Sequence, residues 1–515
     1  MANAILDGRN ICCGLTENTN MLVPIPATVA NIGQYWNGSA FVASPYEWTG
    51  NVLNDLNNTP AQNTAAIQAA ADIGPVKISA APGAVIYIND TIYADVLELE
   101  HGVTLLMAAG TGKPLLRNSA LKPSNPTYNI SSLTCDSAGT VSAVTTAPHP
   151  FVAGQFVAIE FAMPDHYTGV YQIDTVADTT HFTYKAISIP NNLTASVFKY
   201  GDGTTYGLDN LRGGGNVTSI RCRAANKACY YNINGTLDYD HANNNTGQAG
   251  IDRMAVQLAF INNLYGNFAN ITNALKYALH VSTIANPQIF VHSDGTNSDL
   301  FHFSGGIYGG EARVSGKAGD NIIGGGPMEG MGAATGGTYK SYEINPGSIV
   351  NFKLKNIDAR HSGTPSSVRL WGEDPEGPQT GNWSASVELE DVRSCGSSAT
   401  EYPVQVFGGR FRHLLIKKPR GHMPTDGVVV KVTSVNTTGC TTTIDNLIID
   451  APHLESTGNK LLEVSGYSGI LATVKNLVVN APSIESPALT KGLVQLGANS
   501  VIDKLSFNEI GRAHV

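Results

Sequence analysis

Short runs in which apolar and polar residues alternate recur along most of the chain, separated by turns rich in Gly, Asn, Asp and Pro. An alternation of period two is the mark of a half-buried β-strand rather than of a helix. The pattern is clearest in TIDNLIIDAPHLES (443–456) and TVKNLVVNAPSIES (473–486), which begin 30 residues apart and share Thr, Asn-Leu, Ala-Pro and Glu-Ser in place. A third copy starts at VIDKLSFN (501–508). A fixed period of this size is what stacked supersecondary units produce. Each copy reads as a strand, Leu447-Ile448-Ile449 or Leu477-Val478-Val479, followed by a Pro-containing corner. One period therefore predicts one coil of a right-handed parallel β-helix. Asn446 and Asn476 are expected to form a ladder between coils about 4.8 Å apart.

The same grammar extends upstream through NVTSIRCRA, YALHVSTIANPQIFVHSDG, LFHFSGGIYGGEARVSG and SIVNFKLKNIDARHSG. One segment, NTPAQNTAAIQAAADIG (58–74), has helical spacing, with Ala65, Ile67, Ala70 and Ala71 apolar and Thr64 as its expected cap. Between 139 and 186 several strand-like runs follow one another too closely for coils, which predicts a small inserted β module. The expected organisation is an attachment segment at 1–48, a cap and first coils at 49–129, the insertion at 130–200, and the main β-helix at 201–508. The final EIGRAHV (509–515) matches the translation of a sequencing adapter and is expected to be a scar that cuts the third repeat short.

Composition agrees with an all-β chain. Only 14% of residues are charged, against about 25% in an average globular protein, while glycine numbers 54 of 515. The net charge of −9, with no Lys/Arg block, argues against nucleic acid as a partner. No signal-peptide pattern and no apolar stretch of bilayer length occur, so membrane insertion is not expected. The seven cysteines have no CxxC spacing, and neither a metal site nor a cofactor is expected. Cys222 and Cys229 could pair, though buried free thiols suit a solenoid equally.

Thr64, Ala66, Ile67, Gln68 and Ala70, followed by Pro82, Gly83, Tyr87 and Gly102 to Leu105, resemble the opening cap of the pectate-lyase-superfamily β-helices of bacteriophage tailspikes, with Gln62-Asn63 in place of an acidic pair. Pro148, His149, Gly154, Gly169, Tyr171 and Phe182-Thr183-Tyr184 are similar to a β unit of phage tail proteins, and His149 reads there as a turn residue rather than a ligand. The resemblance implies a virion location, a homotrimer, attachment to phage tail or baseplate proteins through the N-terminus, and a bacterial surface polysaccharide as partner.

Candidate chemistry centres on TNSDLFHF (296–303) and AGDNIIGGG (318–326). Asp299 and Asp320 lie 21 residues apart, the length of a lean coil, and are expected to stack on adjacent coils. Two neighbouring carboxylates split their pKa values, as glycoside hydrolysis requires, with Asp320 as acid and Asp299 as base. Asn297-Ser298-Asp299 and Gly319-Asp320-Asn321 resemble two motifs of polygalacturonase-type hydrolases. Leu300 and Asn321 depart from that pattern, and its later His-Gly and Arg-Ile-Lys motifs are missing. His302, as a sugar ligand or a core histidine, and Asn297 and Asn321 beside the acids complete this region. Arg360, His361, Arg369 and Trp371 on later turns are candidates for holding an acidic glycan. Hydrolysis of a surface polysaccharide is thus one reading, non-catalytic glycan binding a second, and a polysaccharide lyase a third.

Overall fold

The computed structural model describes residues 59–186, 193–197, 219–244, 254–296, 298–319, 321–326, 348–359, 366–371, 384–395, 402–422, 427–434, 441–454, 460–484 and 493–508, together with the strands Ile32–Trp36, Phe41–Trp48, Gly207–Leu208 and Gly215–Asn216. Among the described residues, twenty-nine strands form one continuous set of parallel ladders. The chain winds through three sheets per coil, so each strand pairs with the equivalent strand of the coils before and after it. In the late coils Tyr402–Phe407, Val428–Thr433, Lys460–Ser465 and Val494–Leu496 stack as the first sheet. Gly409–Lys417, Thr442–Asp450, Ala472–Asn480 and Ser500–Asn508 stack as the second. Arg420–His422, His453–Leu454 and Ser483–Ile484 stack as the third.

This is the parallel β-helix that the repeat predicts, and the register follows the repeat. Leu447 and Leu477, both buried in the apolar column, pair with each other, Leu505 follows in register but exposed, and Asn446 pairs with Asn476. The asparagine ladder forms, with Asn476 Nδ2 donating to Asn446 Oδ1 at 3.3 Å. The Ala-Pro pairs mark the corner between the second and third sheets. Ala451 and Ala481 turn it in the left-handed region, at φ 46° and 41°, and Lys418 does the same one coil earlier at φ 48°.

The helix Pro60–Ile73 closes the first coil. Its cap is Thr59, not Thr64: Thr59 Oγ1 accepts from the Gln62 amide, and the Gln62 side chain accepts from the Thr59 N–H, a reciprocal capping box. Thr64 lies one turn inside, where its hydroxyl donates to Pro60 O and accepts from the Asn89 amide. Asn63 and Gln68 bond the backbone of Tyr87 and Tyr93. The helix thus buries Ile67 and Ala70 on the core while its polar side chains satisfy strand edges that would otherwise invite pairing with another chain.

The inserted module is a closed six-stranded antiparallel barrel. It begins at the strand Thr127–Cys135 and ends at Ile220–Ala224, so it extends past the 130–200 span read from the sequence. The signal missed there is that Ile220–Ala224 pairs with Thr127–Cys135 and Phe156–Glu160 to close the barrel, a contact remote in sequence. Tyr171 stacks on Tyr184 at 4.4 Å and His149 on Phe151 at 4.8 Å, which makes His149 part of the barrel core. Cys222 lies in the barrel core and Cys229 in the β-helix core, each a buried free thiol rather than a bonded pair. Where the chain leaves and rejoins the coil, Asp95 accepts from the Ser119 amide and hydroxyl and from Asn226, at 2.7, 2.6 and 2.9 Å.

Candidate functional site

The first sheet positions the site. Val256, Leu279, Phe301, Ile323 and Val368 stack in the apolar column. Alternate residues of a strand point to opposite faces, so the residues next to them point out of the coil. This outward row runs Arg117, Gln257, His280, His302, Gly324, Arg369, Gln405, Lys431 and Glu463, one residue per coil. Its lower half, Arg117 to His302, is buried, and its upper half, Arg369 to Glu463, is half-buried.

His302 therefore sits on the outer side of the wall, yet it has no exposed surface. Its ring stacks on Tyr277 at 3.7 Å. Its Nδ1 lies 3.0 Å from Asp299 Oδ2, a contact that with an ionised carboxylate fixes the proton on Nδ1. The other carboxylate oxygen accepts from the Asn321 amide at 3.2 Å and from its side chain at 2.8 Å. Gly324 makes room for this: a Cβ there would fall 2.2 Å from Asp299 Oδ2.

The coil is one residue longer here than the sequence spacing suggested. Leu300 N–H donates to Asn321 O and Phe301 N–H to Ile322 O, which puts Asn321, 22 residues on, beside Asp299. Asn321 is thus the residue of the next coil that bonds Asp299. Asp299 is 3% exposed, with both carboxylate oxygens engaged in hydrogen bonds. Asp320, Asn297, Arg360 and His361 lie outside the described residues, as does the side chain of Trp371.

Arg369 follows His302 two coils up the same row, its guanidinium 4.6 Å from the centre of the Phe407 ring. Trp371 pairs in register with Phe407. Above them Lys431 Nζ donates to the Tyr402 hydroxyl at 2.9 Å, lies 4.5 Å from the centre of that ring, and faces Glu463 at 3.4 Å. Burial works against the charged form of Lys431, but the Tyr402 and Glu463 contacts outweigh it and hold its pKa above the ordinary lysine value.

The sequence reading missed His280, whose Nε2 lies 2.9 Å from Ser304 Oγ on the next coil. A signal was present: His280-Val281-Ser282 and His302-Phe303-Ser304 are the same His-x-Ser unit one coil apart. Burial, with the charges of His302, Lys276 and Arg117 behind it, drives the His280 pKa well below the usual histidine range, so the ring is neutral. Among the described residues no group of three or more His, Cys, Asp or Glu is arranged to hold a metal ion.

No family model and no curated protein sequence matches the chain. Its fold is similar to solved phage tailspikes. The tailspike gp49 of Pseudomonas phage LKA1 shares 14% identity over 86% of this chain and 74% of its own, with a TM-score of 0.41. The gp54 tailspike of Acinetobacter baumannii bacteriophage AP22, solved with an A. baumannii capsular saccharide, shares 11% over 87% and 78%, TM-score 0.36. The tailspike gp61 of Pseudomonas phage phi297 shares 12% over 86% and 73%, TM-score 0.39.

Proposed function

We propose that the chain is a tailspike-type receptor-binding protein that holds a bacterial surface polysaccharide along the outer face of the first sheet. The observation that carries this reading is the half-buried row Arg369, Gln405, Lys431 and Glu463, flanked by Phe407 and Tyr402. Successive coils repeat at about 4.8 Å, close to the length of a sugar unit, so an extended glycan can meet a donor or acceptor at each step. Rings beside these polar groups offer apolar surface to sugar C–H groups. Arg369 and Lys431 would favour an acidic glycan. Virion attachment and a homotrimer belong to the same proposal and rest on the resemblance of the capping segment.

The test is binding to a panel of capsular and O-antigen polysaccharides, with Arg369→Ala and Lys431→Ala each expected to weaken the best ligand at least about tenfold, or 1.4 kcal/mol. Binding unchanged in both variants, or no polysaccharide bound, overturns the reading.

Cleavage of the bound glycan is a second reading, favoured by the Asp299–His302 contact. In it Asp299 orients His302, whose Nε2 is the proton-transferring atom. The carboxylate pair Asp299 and Asp320 remains the alternative acid-base set. Mass analysis of products separates them: loss of cleavage in His302→Gln with retention in Asp320→Asn supports the imidazole, and the reverse supports the carboxylates.

A further inference from the structure

The buried lower half of the outward row contains more unpaired hydrogen-bonding capacity than a folded interior tolerates. Arg117, Gln257 and His280 stand on three successive coils and are 2%, 0% and 0% exposed. Arg117 Nε and Nη2, both polar atoms of the Gln257 amide, and His280 Nδ1 have no hydrogen-bond partner among the described residues. Each orphan of this kind carries an uncompensated desolvation penalty, larger on a charged group. Native structures keep such atoms few, so five in one short column point to something that pairs with them.

The donors identify its chemistry. Nε and Nη2 form one edge of the guanidinium fork, the edge that matches the two oxygens of a carboxylate or phosphate. Arg117 has no ion-pair partner among the described residues, so its charge calls for an anion. Gln257, one coil above, adds a donor and an acceptor, and the His280 imidazole a further ring nitrogen. With one guanidinium and two neutral groups, the column matches a monoanion better than a dianion.

We infer that Arg117, Gln257 and His280 form a buried binding site for a carboxylate monoanion. The inference stands on this column alone and is independent of glycan binding along Arg369 to Glu463.

Equilibrium dialysis of the full chain against acetate, glucuronate and inorganic phosphate in low-chloride buffer tests it. One saturable carboxylate per chain is expected, lost in Arg117→Gln and weakened at least about tenfold in Arg117→Lys, which keeps the charge but loses the fork. Binding of glucuronate as well as acetate identifies a sugar carboxylate as a fitting ligand, while acetate alone identifies a small ion. Both outcomes support the site. No saturable binding, tighter binding of phosphate than of acetate, or equal binding in Arg117→Gln overturns it. Gln257→Leu guards against variants that merely misfold. In a site without ligand this change removes two orphan atoms and raises the denaturation midpoint with no effect on acetate, which also overturns the inference. In an occupied site it weakens acetate.

Discussion

Asp299 Oδ2 lies 3.0 Å from His302 Nδ1, beneath Gly324, the residue of the next coil whose missing side chain leaves space for that carboxylate. A methyl at 324 would sit 2.2 Å from Asp299 Oδ2 and 3.3 Å from His302 Nδ1. Gly324→Ala should therefore displace Asp299 and lower stability by about 1–3 kcal/mol, the usual range for overpacking. Asp299→Ala removes the clashing carboxylate and, with it, the contact to His302. The two changes should be non-additive in a double-mutant cycle followed by denaturant unfolding. Additive effects would show that Gly324 and Asp299 are not coupled.

His280 gives a pH dependence with a definite sign. Its folded-state pKa lies well below the ordinary value, first because of burial and then because of His302, Lys276 and Arg117. As pH falls through about 6.5 the unfolded chain takes up a proton that folded His280 refuses. Stability is thus lost on the acid side, by at most about 1.4 kcal/mol per pH unit for this one group. Unfolding of the wild type and His280→Gln between pH 7.5 and 5 should converge toward low pH, with the wild type showing the steeper decline.

Much of the fold was legible because a β-helix repeats its own instructions. The 443–456 and 473–486 copies gave the strand, the corner and the asparagine ladder, each of which depends only on the adjacent coil. The site was less legible because it depends on register. A coil of 22 rather than 21 residues puts Asn321 beside Asp299, and a one-residue step in a strand changes which face a side chain occupies. Burial of His302 was also hidden, since alternation places it on the outer face and only packing beyond its own strand removes it from water. The closing strand of the barrel at Ile220–Ala224 was missed for a similar reason, its partners being remote in sequence.

The barrel meets the β-helix wall around a buried ion pair. Arg223 Nε lies 2.6 Å from Glu160 Oε1, with side chains 4% and 0% exposed, and the guanidinium lies 5.0 Å from the centre of the Phe260 ring on the wall. Glu160→Gln leaves the guanidinium buried without its carboxylate, which should destabilise by about 3–5 kcal/mol. Replacing both partners, Glu160→Leu with Arg223→Met, should recover most of that loss, because the desolvation of both charges disappears together. Thermal unfolding of the two variants checks the order. A double variant no more stable than Glu160→Gln would mean that the pair itself holds the barrel in place.

The Ala-Pro corners set the last expectation. Ala481 turns its corner at φ 41° and its side chain is exposed, so its methyl contributes little packing. A left-handed conformation costs an L-residue about 1–2 kcal/mol, which glycine avoids. Glycine in turn gives up about 0.5–1 kcal/mol through the greater freedom of its unfolded chain. Ala481→Gly should therefore stabilise by up to about 1 kcal/mol, and Ala451→Gly, at φ 46° but half-buried, should gain less. Comparing the denaturant midpoints of the two variants tests whether backbone strain or side-chain packing governs the corner: a loss at Ala481 equal to that at Ala451 would assign it to packing.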